Sequence, residues 1–505
     1  MKQSLSLNRW VFFTPLFLLA LTLFLNLYDK TFFMVLVTDA NTWILKKFGW
    51  LFSYSTFLFL LLLLVVYFSP LSRIKIGGKE AVPLLNKWRW FAISVCTTIA
   101  TGILFWGCAE PLYHYFSPPT NATILGSSKE SLVFSMSTLF MHWSFTPYGI
   151  YCICGLVFGL VYYNFKQPFR IGTLIYPLTN GKNSKGVNTL FDIICLYALV
   201  LGMSASLGAG ILAIIGGLES LFGFEKSNFL IFIIGFLVIA AFVVSAITGL
   251  QKGIKLLSSV NIIGFIFVAI YVLVFGFPKE IFHLGRLGLQ DYMVNFIPRS
   301  INFGTILDSS WMEDWTLFYL ANWFAWAPVA SLFLGRIARG YTVRQFINFN
   351  LIAPSLFAIL WMTIFGGSTL HLNELLDNAL YFLMEKNGEE VVMYQLLESL
   401  PLGIIISAFT LFLVFLSYVT AADSNISAMS SISSKLPEGT DAEPPTYIKI
   451  VWGTLIGMIT YIMLSSAGVE GIRLLCILGG FPALFIVLLA ACSLVLLFFK
   501  RKELE

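Results

Sequence analysis

Apolar runs of about 20 residues, separated by short polar gaps, recur along almost the whole of this chain. A helix of about 20 residues crosses a ~30 Å hydrocarbon core, so each run is long enough to span a membrane. Only 11% of the residues are charged and 58% are hydrophobic, whereas an ordinary soluble domain carries about 25% charged residues. The sequence therefore predicts an all-α polytopic membrane protein embedded in a lipid bilayer, and it excludes a soluble enzyme.

The hydropathy pattern predicts twelve transmembrane helices. Their approximate bounds are 10–28, 49–69, 89–116, 131–163, 188–217, 229–250, 254–277, 314–335, 346–366, 401–432, 448–468 and 471–499. An even number of spans puts both termini on one side, and Lys and Arg are concentrated in the segments of that side. Because cytoplasmic loops are enriched in these residues, we expect a multi-pass protein of the cell (inner) membrane with both termini in the cytoplasm.

Two predicted spans, five helices apart, contain residues that interrupt helices. The third holds Gly102, Gly107 and Pro111, and the eighth holds Asn322 and Pro328 in mid-membrane. A broken helix is tolerated in a membrane only where its free backbone groups line a cavity. The spacing favours two inverted five-helix repeats, although glycine and proline are also common in ordinary membrane helices.

This division predicts the domain organisation. The units are two peripheral transmembrane helices at 1–86, a first inverted repeat (helices 3 to 7) at 87–277, an outer amphipathic segment at 278–313, a second inverted repeat (helices 8 to 12) at 314–500 with an outer loop at 369–400, and a short cytoplasmic tail at 501–505. The two outer segments carry apolar residues at helical spacing but are too polar to span. That pattern is typical of a solvated helical face or of a lid over a substrate path.

Catalytic and metal-binding patterns are absent from the sequence. It lacks the motifs of metalloproteases, serine hydrolases and P-loop nucleotide-binding proteins, and its four histidines are dispersed. Cys152 and Cys154 have no further soft ligand at helical spacing, so we interpret them as core residues. Lys and Arg are scattered among loops rather than massed on one face. We expect no catalytic residues, no transition metal, no organic cofactor and no nucleic-acid partner.

Four ionisable side chains, Glu110, His142, Asp192 and Asp423, fall at or near membrane depth. Such groups are costly in hydrocarbon and therefore face the protein interior or water. The pattern leaves open whether each of them makes structural hydrogen bonds or belongs to an ion or proton pathway.

Trp and Tyr side chains are dense along three predicted spans, and Trp143 and Trp323 lie well inside theirs, away from the interfaces where aromatic belts usually lie. They are Tyr113 in the third span, Trp143, Tyr148 and Tyr151 in the fourth, and Trp315, Tyr319, Trp323 and Trp326 in the eighth. Steps of four and three residues put Tyr319, Trp323 and Trp326 on one side of their helix. A quaternary ammonium group offers no hydrogen-bond donor and is best held against the negative faces of rings. The pattern predicts a transporter with a cation-binding aromatic box.

At these residues the chain resembles the betaine/carnitine/choline transporter family. The resemblance covers nearly the whole length and rests on segments 106–111, 142–143, 314–319 and 335–344. It implies a LeuT-like core of two inverted five-helix repeats preceded by two peripheral helices. It also implies a secondary active transporter that works by alternating access, assembled as a homotrimer.

Carried over position by position, the resemblance assigns the substrate-binding residues. They are Trp143, Tyr148, Tyr151 and Trp323 in the central box, Tyr113 and Trp326 beside it, and Trp315 and Tyr319 as outer or regulatory contacts. Leu320 and Asn322 replace two tryptophans of the family signature, which favours either a substrate with a hydrogen-bonding tail or a different substrate. The expected substrate is glycine betaine, choline or carnitine. The alternative is a related small amine or zwitterion, and a membrane enzyme or channel is a remote alternative.

The resemblance also bears on the coupling ion. Sodium-independent exchangers of the family carry an arginine at the position of Asn261 and a methionine at that of Ala330, and both are missing here. A mobile cation is therefore favoured in place of a fixed one. Thr420 matches one hydroxyl of the sodium site of sodium-coupled relatives, whereas Ala421 lacks the second. Na⁺ bound at Thr420 is the expected coupling ion, with proton coupling and exchange left open.

Overall fold

The computed structural model describes almost the entire chain as helix. The described residues are 6–98, 102–120, 124–182, 184–248, 251–301, 307–435 and 444–504. Within them, the paired strands β1 (Ser6–Leu7) and β2 (Ser434–Lys435) form a two-stranded sheet. A helix satisfies its backbone hydrogen bonds internally, as a segment in hydrocarbon must. The predicted helical membrane fold is confirmed at this level.

The helices overlap the predicted spans, although α2 and α14 extend well beyond the predicted bounds. In chain order they are α1 (Arg9–Tyr28), α2 (Lys30–Phe68), α3 (Lys87–Thr98), α4 (Gly102–Phe116), α5 (Lys129–Trp143), α6 (Phe145–Asn164), α7 (Lys185–Phe222), α8 (Asn228–Thr248), α9 (Gln251–Phe275), α10 (Pro278–Ile301), α11 (Ser309–Met312), α12 (Phe318–Ile337), α13 (Val343–Ile347), α14 (Ala353–Leu375), α15 (Ala379–Asn387), α16 (Val392–Glu398), α17 (Gly403–Ile432) and α18 (Thr446–Phe499). The π-helical turns Glu313–Leu317 and Asn348–Ile352 join α11 to α12 and α13 to α14.

Eight helical stretches within the described ranges are long and apolar enough to cross a membrane, and a bent pair in α9 and α10 brings the number to nine. The bend between these two helices is 105°. The long helix α18 holds the last two predicted spans, which meet at Gly468, where φ is 56°. The described parts of the predicted spans lie on helices, the fourth span being divided between α5 and α6. The number of twelve and the inverted repeats remain predictions.

The predicted helix interruption at 322–328 is wrong, and the one predicted around 102–111 is not found from Gly102 onward. The backbone is continuously helical from Gly102 to Phe116 and from Phe318 to Ile337. Proline and glycine are tolerated inside membrane helices because neighbouring groups compensate the lost hydrogen bond. Residues 99–101, just before Gly102, lie outside the described residues. The eighth span is instead irregular one turn earlier, at the π-helical turn Glu313–Leu317.

Segments that the charge pattern assigns to the cytoplasm meet at one end of the molecule. β1 pairs with β2, which follows α17. Lys75 forms a bridge with Thr342, and the Asn164 side chain donates a hydrogen bond to the Leu504 carbonyl at 2.7 Å. That this end faces the cytoplasm remains a prediction.

The predicted outer loop packs onto the helix bundle. Glu390 is buried, and its carboxylate accepts a 2.7 Å ion-pair hydrogen bond from Lys226, between α7 and α8. Burial raises the pKa of Glu390 above its usual range, and the Lys226 ammonium opposes that shift. Ser220 on α7 donates to Glu398 on α16 at 2.5 Å. The carboxyl end of α7 therefore holds this segment in place.

Glycines allow α12 to lie very close to its neighbours. A Cβ at Gly480 on α18 would lie 2.2 Å from the Ala321 carbonyl oxygen on α12. A Cβ at Gly335 would lie 2.8 Å from the Gly155 carbonyl oxygen on α6. Small residues permit such backbone approach in membrane helix pairs. The packing fixes α12 between α6 and α18.

Candidate functional site

The middle of α12 carries a buried tryptophan surrounded by rings from α5 and α6. The ring centroid of Trp323 lies 5.7 Å from Trp143, 5.8 Å from Tyr148 and 5.3 Å from Tyr151. All four side chains are at most 5% exposed. The four residues assigned to the central box are thus brought together, and we call them the aromatic box.

A local irregularity in the fourth span builds this cluster. α5 ends at Trp143, Ser144 has φ −115° and ψ −117°, and α6 starts at Phe145. Trp143 directly before this residue, and Tyr148 and Tyr151 in the first turns of α6, all contact Trp323. Sequence reasoning missed this irregularity, although Pro147 is typical of the first turn of a helix.

Tyr319 adjoins the box rather than standing apart from it at the outer end. Its ring centroid lies 5.2 Å from Trp143 and 4.8 Å from His142, on which it is stacked. Trp106, which the sequence analysis did not assign to the site, lies 5.9 Å from Tyr319 on another side. Tyr319 therefore connects the box to further rings.

These further rings lead toward α15 and α16, the helices of the predicted outer loop. Trp106 contacts Trp315 at 6.2 Å between centroids, and Trp315 contacts Tyr113 at 5.1 Å. The Tyr113 hydroxyl donates a hydrogen bond to Glu389 at 2.5 Å. The Arg473 guanidinium lies 4.6 Å from the Trp315 ring centroid. Trp315, expected to be an outer substrate contact, thus already has a protein cation against its ring.

Two residues near the box point elsewhere. A Cβ at Gly202 on α7 would lie 3.3 Å from the Trp326 indole nitrogen, so Trp326 packs against α7. The Asn322 carboxamide oxygen accepts a 3.4 Å hydrogen bond from the Cys476 thiol on α18. The side chain of Asn322 therefore points toward α18.

Three ionisable side chains form a cluster behind the box, and we call Glu110, His114 and His142 the buried triad. Glu110 Oε1 lies 3.0 Å from His114 Nε2 and 2.6 Å from His142 Nδ1. All three residues are at most 2% exposed. His142 Nε2 lies 3.0 Å from the Thr316 hydroxyl on the π-helical turn. Sequence reasoning named Glu110 and His142 singly and did not join them.

The triad is tied to the box by two indole hydrogen bonds. Trp143 Nε1 donates to Glu110 Oε2 at 2.8 Å. Trp323 Nε1 donates to the His142 carbonyl oxygen at 3.2 Å. Both indole N–H groups are therefore satisfied within the protein, and the two tryptophans can offer a ligand only their faces and edges.

The distances within the triad are those of hydrogen bonds. Its three candidate ligand atoms lie within 4.8 Å of one another. Tetrahedral zinc with bonds of about 2.0–2.1 Å would separate its ligand atoms by about 3.3 Å, more than the 2.6 Å between Glu110 and His142. The geometry favours a proton-sharing cluster over a metal site.

The residues considered for ion coupling lie on α9 and α17. Asn261 is buried, and its carboxamide oxygen has no hydrogen-bond partner among the described residues. The Thr420 hydroxyl donates to the Ser417 carbonyl at 3.0 Å. Asp192, by contrast, pairs with Arg170 at 2.8 Å, which agrees with a structural role.

Comparison with known proteins decides the class of the molecule. Residues 10–503 match the sequence model of the BCCT family, described as betaine/carnitine/choline family transporters. The chain belongs to the betaine/carnitine/choline transporter family. The resemblance inferred from the motifs is thereby confirmed, and the protein is a multi-pass membrane transporter and not an enzyme.

Characterised relatives are similar along most of the chain. It is 29% identical to the ectoine/hydroxyectoine transporter of Virgibacillus pantothenticus over 498 residues, covering 99% of this chain and 98% of the relative. It is 28% identical to the glycine betaine transporter of Acinetobacter baylyi over 496 residues, covering 97% and 73%. It is 27% identical to the high-affinity choline transport protein of Escherichia coli K12 over 495 residues, covering 98% and 72%.

Proposed function

We propose that this family member is a secondary active transporter that takes up a quaternary ammonium compound by alternating access, with Na⁺ as the coupling ion. Glycine betaine, choline and carnitine are the proposed substrates. The observation that carries the proposal is the contact of Trp323 with three other buried rings, which are Trp143, Tyr148 and Tyr151. The names of the glycine betaine and choline relatives agree with this substrate class.

The chemistry of the aromatic box suits a methylated ammonium group. Such a group is attracted to ring faces by about 2 kcal/mol when the site is desolvated. The indole N–H groups of Trp143 and Trp323 already donate to Glu110 and to the His142 carbonyl oxygen. A headgroup without hydrogen-bond donors or acceptors can therefore bind against these two indoles while both of their N–H groups stay paired.

A sodium site is supported by two oxygen-bearing side chains. Asn261 stands where the family's exchangers carry an arginine, and its buried oxygen lacks a hydrogen-bond partner among the described residues. Thr420 supplies a hydroxyl on α17. Hard cations prefer such oxygen ligands. The homotrimer implied by the family resemblance is part of the same proposal.

A second candidate substrate is ectoine or hydroxyectoine. It is favoured by the relative of that name, which this chain matches over 99% of its own length and 98% of the relative. Tyr148, where the family signature has a tryptophan, adds a hydroxyl to the box. An uptake experiment must therefore include this cyclic zwitterion.

The decisive experiment is uptake of radiolabelled glycine betaine, choline, carnitine and ectoine into proteoliposomes containing the purified protein. We expect accumulation of at least one quaternary ammonium compound when an inward sodium gradient is present. Accumulation of ectoine alone would identify the second candidate. Exchange of preloaded label without sodium-driven accumulation would contradict symport.

Replacing Thr420 by alanine is expected to raise the sodium concentration needed for half-maximal uptake, because one ligand oxygen is lost. The readout is the sodium dependence of initial uptake rates in proteoliposomes. Thr22→Ala is the matched control, since the Thr22 hydroxyl makes the same type of bond to a carbonyl three residues earlier, in the peripheral helix α1. An identical sodium dependence in both variants would count against Thr420 as a ligand.

A further inference from the structure

We infer that the buried triad binds one exchangeable proton and that this proton competes electrostatically with the positive headgroup of a substrate in the aromatic box. The inference rests on the proposed function, because it concerns the same binding site. The proton is then a second ligand of the transporter, in addition to its substrate.

The charge of the triad depends on a single proton. With Glu110 ionised and both imidazoles neutral, the cluster carries one negative charge. A proton on either His114 or His142 makes it neutral. Since all three groups are at most 2% exposed, an uncompensated charge among them is costly. A proton on the cluster would remove this buried charge from the empty transporter.

The same negative charge can be compensated by a substrate. Trp143 touches Trp323 with one side of its indole and donates its N–H to Glu110. A cation in the box thus lies about one indole away from the carboxylate, a distance over which charges interact strongly in a protein interior. A bound cation and a proton on the triad repel each other, so binding of one lowers the affinity for the other.

His142 provides a second connection between proton and substrate. Its ring is stacked on Tyr319 at 4.8 Å, and its carbonyl accepts from Trp323. Its Nε2 lies 3.0 Å from the Thr316 hydroxyl, which can reorient as donor or acceptor when the ring gains or loses a proton. Protonation is therefore compatible with the hydrogen-bond network in both states.

The other imidazole offers a nitrogen lone pair for the proton, at the cost of a buried N–H group without an acceptor. His114 Nδ1 is buried and has no hydrogen-bond partner among the described residues. In the step that we propose, cation binding breaks one imidazolium N–H bond, the electron pair stays on the nitrogen, and the proton passes to the solvent.

Other ionisable groups surround the triad. They are Tyr319 on α12, Arg473 on α18, Tyr113 with its partner Glu389 at the outer end of α4, Cys108 beside Thr369 of α14, and the Arg299–Asp291 pair of α10 behind Phe134. Glu389 keeps its hydrogen bond from Tyr113, and Asp291 keeps its ion pair with Arg299. We therefore assign the change of charge beside the box to the triad.

Calorimetric titration of the purified full-length protein with glycine betaine and with choline tests the inference. The titrations are done between pH 5.5 and 8.5 in buffers of different ionisation enthalpy, which gives the number of protons released on binding. We expect release of up to one proton at the acidic end. The affinity should rise with pH, by at most about tenfold per pH unit.

Variants locate the released proton. His114→Gln is expected to reduce the release, and His283→Gln, which changes an exposed histidine of α10, is expected to retain it. Thr316→Val keeps all three titratable groups and should shift the pH midpoint without removing the release. It is the second variant if His114→Gln does not fold.

Three results would overturn the inference. They are binding without proton release by the wild-type protein, an undiminished release in folded His114→Gln, and an unchanged pH midpoint in Thr316→Val if His114→Gln is unfolded. Binding without proton release leaves the proposed function intact, whereas absence of any quaternary ammonium or ectoine binding contradicts both.

Discussion

Replacing Trp323 by alanine is expected to abolish uptake of the quaternary ammonium substrate while the protein remains folded. Trp323 is the ring that contacts Trp143, Tyr148 and Tyr151. Its removal takes away one cation–π face, worth about 2 kcal/mol in a desolvated site, and opens the box to water. We expect the substrate affinity to fall by a factor of about 30 or more, since each 1.4 kcal/mol corresponds to tenfold. Uptake into proteoliposomes and calorimetric binding measure the effect.

The control must separate loss of binding from loss of folding, because removal of a buried tryptophan costs about 3–5 kcal/mol by itself. Trp361→Ala is the matched control. Trp361 is a buried tryptophan of α14 that packs on Phe365 and Phe357, outside the box. Trp361→Ala should lower the midpoint of thermal unfolding. It should lower the substrate affinity of the folded protein less than Trp323→Ala does. Unchanged uptake by Trp323→Ala would remove the box from the proposed function.

Replacing Gly480 by alanine is expected to destabilise the protein and impair uptake together. The added Cβ would lie 2.2 Å from the Ala321 carbonyl oxygen, which belongs to the backbone of α12 and cannot rotate away. α12 and α18 must separate, at a cost of about 3 kcal/mol for an overpacked contact. Ala321 lies two residues before Trp323, so the displacement reaches the aromatic box. The measurements are the thermal unfolding midpoint and the uptake rate.

Gly186→Ala provides the comparison for this substitution. Gly186 lies in the first turn of α7, and its added Cβ would meet its nearest neighbour, the Ser184 hydroxyl, at 3.8 Å. That variant should unfold at a temperature similar to the wild type and retain uptake. If Gly480→Ala were as stable and as active in uptake as Gly186→Ala, the close contact of α12 and α18 would be contradicted.

The residues of the aromatic box could be predicted from the sequence, whereas the network behind it could not. Trp143, Tyr148, Tyr151 and Trp323 are marked by residue type, by depth in a span and by a family resemblance. Glu110 and His142 are 32 positions apart and come from different helices. Only the Glu110–His114 pair, four residues apart on α4, has a spacing that brings two side chains together along one helix.

The interruptions of the helices show the same limit. Gly107 and Pro328 suggested breaks, yet both lie inside continuous helices. In the fourth and eighth spans the irregularities occur instead at Ser144 and at the π-helical turn Glu313–Leu317. A glycine or proline lowers the local stability of a helix, but packing against neighbouring helices decides whether the helix continues.

The sequence by itself determined the membrane environment, the helical fold class, the family and the kinds of side chain in the box. These properties follow from hydropathy and residue type along single segments, which are local quantities. The tertiary structure alone decided that Tyr319 contacts Trp143 and His142, that Glu110 and two histidines share hydrogen bonds behind the box, and that Glu390 is buried against Lys226. Such contacts depend on how helices that are far apart in the sequence pack together. Their free energy comes from residues in different segments, so no pattern within one segment predicts them.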